Sequence, residues 1–340
     1  FMVIQNALTT PAVLDTDGNL RWVGAGPNNS ISSLFNGDAF TIGSATSAEL
    51  FRLELDGSYT TQPLAATRYT NFHHDLTPGK SGFLAELDAI DGGVPKPESV
   101  LAEITAAGTV LKEWDLSAIF RAAMLAGGDD PANFVRDSAD WFHMNSAYYV
   151  AADDSLLISS RENFVVKIDY ATGRIKWLLG DTTKHWYVDY LSLRALALKL
   201  KSGNPPVGQH SVSIAANGEL LLFNNGLGSL NHPAGTSPGI TRDVSTPSRY
   251  AIDEVARTAV ETWRHAPTPA IYSDICSSVV EGGVANHYLI TYSVLAARTR
   301  TKLVALDSAG KVAFDYEYPT NVCAVAFNSK AADFSGLTLN

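Results

Sequence analysis

Cysteine is scarce: two in 340 residues, Cys276 and Cys323. Two allow at most one bridge, so the chain is no disulfide scaffold, and the lack of any CxxC or Cys/His cluster excludes a structural zinc module. The redox compartment stays open at this point. Charge is also sparse, at 18% of residues, and its balance is acidic, with 25 Lys and Arg against 35 Asp and Glu. A nucleic acid is therefore not expected as partner, because phosphate backbones need clustered cations. No apolar run approaches the length that spans a bilayer; the longest candidate, Leu191 to Leu200, is broken by Ser192, Arg194 and Lys199. No membrane partner is expected. The chain opens on Phe1 without a basic stretch and an apolar run behind it, so a processed or trimmed start is expected.

The apolar share of 46% is ordinary and supports a sizeable core. Glycine (26), proline (15) and the 14 Phe, 13 Tyr and 6 Trp suit a turn-rich β protein.

A hairpin signature recurs six times. It is a short apolar strand, a turn containing Asp, Asn or Gly, and a second strand ending in an aromatic. It occupies 13–22, 53–59, 103–114, 167–177, 251–263 and 304–314, and closes on Trp22, Tyr59, Trp114, Trp177, Trp263 and Phe314. A second two-strand element precedes it. His210 to Phe223 is the clearest copy, and His74 to Ala85 matches it without a gap. Asn145 to Ile158 and Ser277 to Ile290 are further copies. His74, His143 and His210 are 69 and 67 residues apart, and Ser277 follows 67 later.

Two strands plus a hairpin make a four-stranded blade, and radial repetition protects sheet edges. The expected fold is all-β, a six-bladed β-propeller of four-stranded antiparallel blades, in preference to a pair of β-sandwiches. The blades fall at 1–29 with 320–340, 30–70, 71–118, 141–181, 208–265 and 272–319, in a single propeller domain. The first hairpin lacks leading strands and the stretch Cys323–Phe327 lacks a hairpin, so the two ends are expected to share one blade and close the ring. A short helix is expected at 118–125, and a helical Leu/Ala run ends the aromatic segment 184–201. Both segments lie between blades, where long loops are often functional.

Equivalent residues of successive blades surround the central channel. His74, His143 with Asn145, His210, and Ser277 or Ser278 take those positions. One such histidine would be read as structural, but three in register make a site. Arg161 ends the next strand of the His143 blade; alone it would be a surface residue paired with Glu162. With neutral histidines, an Asn and a Ser it suits an oxyanion, since a guanidinium donates in a plane and keeps its charge. Three histidines can also hold zinc, but no acidic residue is clearly placed to complete such a site, although Asp75 follows His74.

The blocks Asp140-Trp-Phe-His143-Met-Asn145, Leu157-Ile-Ser-Ser-Arg161 and Ile168 to Asp181 resemble the bacterial aryl sulfotransferases (arylsulfate sulfotransferases), which do not use the nucleotide donor PAPS. Gly208-Gln-His210-Ser, Leu221 to Gly226 and Ser248 to Asp253 are similar to the same family's second block, and Phe72-His-His74-Asp to its first. The likeness runs over about residues 70 to 300, in order. It implies a sulfuryl transfer from an aryl sulfate donor to a phenolic acceptor, without cofactor or metal. His210 would be the transiently sulfated nucleophile. His74, His143, Asn145 and Arg161 would surround the sulfuryl group, with a hydroxyl of Ser277 or Ser278. His74 rather than His73 shares the register of His210.

That chemistry is coherent. A neutral imidazole forms a covalent intermediate and divides one hard transfer into two, by a ping-pong scheme. Arg161 and Asn145 would stabilise charge on the sulfuryl oxygens. His74 or His143 would protonate the departing phenolate. Phe142, beside Trp141, and Trp186 with Tyr187 are candidates to hold the aryl group. Larger members of the family carry an N-terminal domain, expected here to be absent or trimmed, which leaves a homodimer open. The resemblance favours a periplasmic or secreted enzyme. The competing readings are a non-catalytic ligand- or protein-binding propeller and a metal-dependent propeller hydrolase.

Overall fold

A computed structural model describes residues 2–5, 10–26, 29–323 and 328–339. The chain forms six antiparallel sheets arranged as a six-bladed β-propeller. All six hairpin signatures are the two outer strands of a blade, and the turn residues Gly18, Gly57, Gly108, Gly173 and Gly310 adopt the positive φ their turns require.

The ends close the ring. The innermost strand of the first blade is Asn328–Ala331 from the C-terminus, and Met2–Gln5, Ala12–Leu14 and Leu20–Val23 complete it. Of the strand expected at Cys323–Phe327, residues 324–327 lie outside the described residues.

Each blade buries both faces against its neighbours, so the apolar core is divided into six inter-blade clusters. The recurring tryptophans explain the hairpin signature. Trp22, Trp114 and Trp177 are buried, and each indole N–H reaches the following blade: Trp22 to the Leu55 carbonyl at 2.9 Å, Trp114 to the Tyr170 carbonyl at 3.1 Å, Trp177 to Glu254 Oε1 at 3.0 Å. A ring that fills an inter-blade space and places its one donor is a clamp, and burying it contributes on the order of 3 kcal/mol. Trp263, partly buried, meets the last blade differently, by stacking on Tyr288 at 4.5 Å.

The inserted segments depart from expectation in detail. The first holds helix α1, Leu116–Ala126, capped by the Asp115 carboxylate on the Ala118 N–H. The second holds two short helices, α2 (His185–Val188) and α3 (Leu191–Leu196). Its end is not helical: Lys199–Ser202 is a strand that pairs in parallel with the outer strand Thr258–Arg264 and makes the fifth blade five-stranded. Edge pairing outweighs the helical pattern there, because it occupies an open row of backbone groups.

Candidate active site

The inner strands start with irregularities at matching places. Pairing registers shift at His73/Leu76, Met144/Ser146 and His210/Ser213, and His74, His143, Ser211 and Ser277 all take positive φ. A bulge at a strand start re-aims a side chain, and non-glycine residues in this conformation cost energy and collect at functional sites. Here the bulges turn the predicted histidines toward one another. The His74 ring lies 5.0 Å from His143 and 6.3 Å from His210, centroid to centroid.

His210 is 3% exposed. Its Nδ1 faces Asn225 Oδ1 at 2.8 Å and the Gly208 carbonyl at 3.0 Å, two acceptors, so the proton sits on Nδ1 and the lone pair on Nε2. Asn225 cannot be turned round: its amide nitrogen donates to the carbonyls of Ser273 (2.8 Å) and Cys276 (2.9 Å). Burial, with the Arg161 charge next in weight, pulls the His210 pKa down to about 3. The imidazole is therefore neutral across ordinary pH. Burial and the neighbouring His143 likewise hold His74 well below the usual histidine value.

Arg161 is 3% exposed and pairs with Glu162, the partner expected only for a surface arginine; the pair is buried instead. Glu162 in turn receives the Ser229 hydroxyl and the N–H groups of Leu230 and Asn231, both at 2.8 Å. Burial works against its charge, but Arg161 and these donors hold its carboxyl below the usual range. The guanidinium keeps one nitrogen, Nη2, without a hydrogen-bond partner. Buried donors are nearly always paired, which sets this one apart.

His143 carries a carboxylate behind it. Its Nδ1 lies 2.5 Å from Asp140 Oδ2, and Asn231 Nδ2 holds that same oxygen at 3.1 Å. Asn145 is placed differently from expectation. Its amide nitrogen donates to the Gln209 carbonyl at 2.7 Å, bracing the backbone next to His210, while its Oδ1 has no partner. Neither serine hydroxyl is hydrogen-bonded toward the histidines. Ser277 bonds the Ser273 hydroxyl at 2.8 Å, within the loop that seats Asn225, and Ser278 accepts the Ser329 N–H at 3.3 Å.

The aromatic expectation needs correction. Phe142 and Trp186 are 0% exposed and belong to the core between the third and fourth blades, packed on Phe120 and Phe164. A wholly buried ring has no face left for a substrate. Tyr187 packs edge-on to Trp186 and beneath the Arg194 guanidinium at 5.2 Å, and among the described residues no contact joins it to the histidines.

Acidic residues do stand beside the histidines. Glu98 Oε2 is 3.0 Å from His143 Nδ1, and Glu86 Oε2 is 3.9 Å from His74 Nδ1. Among the described residues, two three-residue groups are spaced to hold a metal ion, His73, His74 and Glu98, and Glu98, Asp140 and His143. Glu98 escapes the repeat because it comes from a bulge of the third strand of its blade, Val94–Ile104, whose register breaks between Lys96 and Val100. Asn225 and Asp140 were visible inside the family-like blocks, but nothing local marks them as partners of His210 and His143.

Below the histidines the channel opens into a cavity of about 300 Å³. Asp75, Ser146 and Ser211 line it directly after His74, Asn145 and His210, and Asp75 is paired with Lys330 at 2.9 Å.

Fold and site together define a six-bladed propeller with a buried cluster of histidines beside a buried guanidinium. The arylsulfotransferase (ASST) family model matches residues 1–332, and the chain belongs to that family. It is 30% identical over 230 residues to the arylsulfate sulfotransferase AssT of Escherichia coli O6:H1, covering 61% of this chain and 37% of that protein. The AssT of Lelliottia amnigena is 30% identical over 161 residues, covering 42% of this chain and 26% of that protein. The matches thus span well under half of the relatives' length. Among solved structures, the β-propeller domain of Swd1 from Myceliophteria thermophila (12% identity, TM-score 0.48, 92% and 81% covered) and virginiamycin B lyase from Staphylococcus aureus (12%, TM-score 0.45, 93% and 78% covered) are similar at a level that carries no functional argument.

Proposed function

We propose that the chain transfers a sulfuryl group from an aryl sulfate ester to a phenolic acceptor, in two steps through a sulfohistidine at His210. The observation that carries this reading is the tautomer of His210. Asn225 and the Gly208 carbonyl hold the proton on Nδ1, so Nε2 presents a lone pair beside a buried guanidinium with one unpartnered nitrogen.

In the first half, His210 Nε2 attacks sulfur and the sulfur–oxygen bond to the aryl group breaks. The ring keeps its Nδ1 proton, and Asn225 Oδ1 stabilises the positive charge that results. Arg161 binds the sulfuryl oxygens. The departing phenolate takes a proton from His143, because His143 is the histidine with an orienting carboxylate, Asp140. In the second half His143 removes the acceptor's proton, the phenolate oxygen attacks sulfur, and the nitrogen–sulfur bond breaks. Relatives named arylsulfate sulfotransferases support the donor class. The Cys276–Cys323 bridge supports an exported enzyme, since such bonds persist in oxidising compartments. Among the described residues no helix is long and apolar enough to cross a membrane.

The test is intact mass spectrometry after incubation with 4-nitrophenyl sulfate. An adduct of roughly 80 Da on His210 that added phenol discharges is expected. A His210→Ala chain with full transfer activity would sink the reading.

A further inference from the structure

The cavity below the histidines has no part in that transfer. None of His74, His143, Arg161 and His210 lines it. Its walls come from further along the inner strands, where Leu34, Phe35, Pro78, Tyr148 and Val280 stand. His143 and His210 sit at the starts of their strands. The cavity is therefore the other half of the channel. Most of its wall is apolar, and the rings of Phe35 and Tyr148 are half-buried there. At about 300 Å³ the space lies at the small end of ligand sites, the size for one substituted ring.

Three linked polar side chains also line it. Asp75 Oδ1 accepts from the Lys330 ammonium and from the Leu76 N–H, each at 2.9 Å. Asp75 Oδ2 accepts from Asn328 Nδ2 at 3.3 Å. A carboxylate can face only the nitrogen of an amide, so the orientation of Asn328 is set. Asn328 is 6% exposed, and its Oδ1 has no hydrogen-bond partner. A buried acceptor without a donor is costly, so the group that completes this cavity is a hydrogen-bond donor. Among the described residues that line the cavity, Lys330 is the one cation, and Asp75 already holds it. A sulfate ester placed here would meet a carboxylate. An uncharged phenol brings instead an apolar ring and one O–H. We propose that this half of the channel is a separate binding site for an uncharged phenol, with its ring between the apolar walls and its hydroxyl donating to Asn328 Oδ1. The site is read by binding alone, so it stands or falls apart from the sulfuryl-transfer reading.

The probe is 4-iodophenol, with crystals of the full chain soaked in it and its affinity in solution measured by calorimetry. The anomalous signal of iodine should lie inside the cavity. Asn328→Leu should weaken binding there about tenfold, because the buried hydroxyl loses its acceptor. Ser213 lines the cavity, and Ser213→Phe should weaken binding at least as much by narrowing it. If Asn328→Leu does not fold, Ser213→Phe carries the test alone. Iodine found only among the histidines, no binding in solution, or affinity unchanged in the folded variants overturns the proposal and leaves water as the partner of Asn328. Iodine among the histidines would at the same time support the transfer reading, so the two readings fail separately.

Discussion

His210 Nδ1 lies 2.8 Å from Asn225 Oδ1, and the same asparagine's amide nitrogen is held by two carbonyls of the next blade. The asparagine therefore has one orientation, and so does the imidazole. Asn225→Leu should lower kcat for aryl sulfate turnover by between about 10² and 10⁴, the range for a lost acid–base group or a wrong tautomer. KM should change little. A variant with unaltered kcat would remove Asn225 from the mechanism.

Arg161 and Glu162 form a buried ion pair, and Glu162 also gathers three donors from the loop 229–231. Glu162→Gln leaves a buried guanidinium without its counter-charge. Breaking such a pair costs about 3–5 kcal/mol, so urea denaturation should show a loss of that size. Arg161→Lys should retain stability better than Arg161→Ala yet still lose most activity, because an ammonium cannot both hold Glu162 and present a planar donor to the sulfuryl oxygens.

Burial holds His210 at about 3 and His185 at about 4, with Arg161 and Arg136 adding to the effect respectively. In the unfolded chain both groups take up protons below about 6.5. Below that pH the unfolded state binds more protons than the folded one, so stability is complete above 6.5 and declines as pH falls toward 4 and 3. The melting temperature should therefore drop steadily from pH 7 to pH 4.5, and His185→Gln should flatten the slope. Turnover should show no acidic limb from His210 itself in that range. An apparent pKa near 6.5 assigned to His210 by NMR would refute the burial argument.

The bridge between Cys276 and Cys323 spans a sequence separation of 47 and ties the start of the last blade to the returning C-terminal segment. On the chain-entropy model a loop of that size is worth about 4 kcal/mol. Replacing both cysteines by serine should lower unfolding stability by up to that amount, read by urea melts with and without reductant. A melt unchanged by reductant would show that the bridge does not constrain the unfolded chain.

Much of this was legible in the chain itself. The period of the hairpins, the recurring Trp22, Trp114 and Trp177, and the spacing of His74, His143 and His210 carry the blade count, the ring and the shared axis, because each blade must repeat the same local pattern to pack on its neighbours. Only the tertiary structure decided what surrounds those histidines. Asn225, Asp140 and Glu98 reach them from other strands and loops, through bulges and long connections that follow no period. The same holds for Phe142 and Trp186: an aromatic residue reads alike whether it faces a ligand or a core, and only packing placed both of them inside.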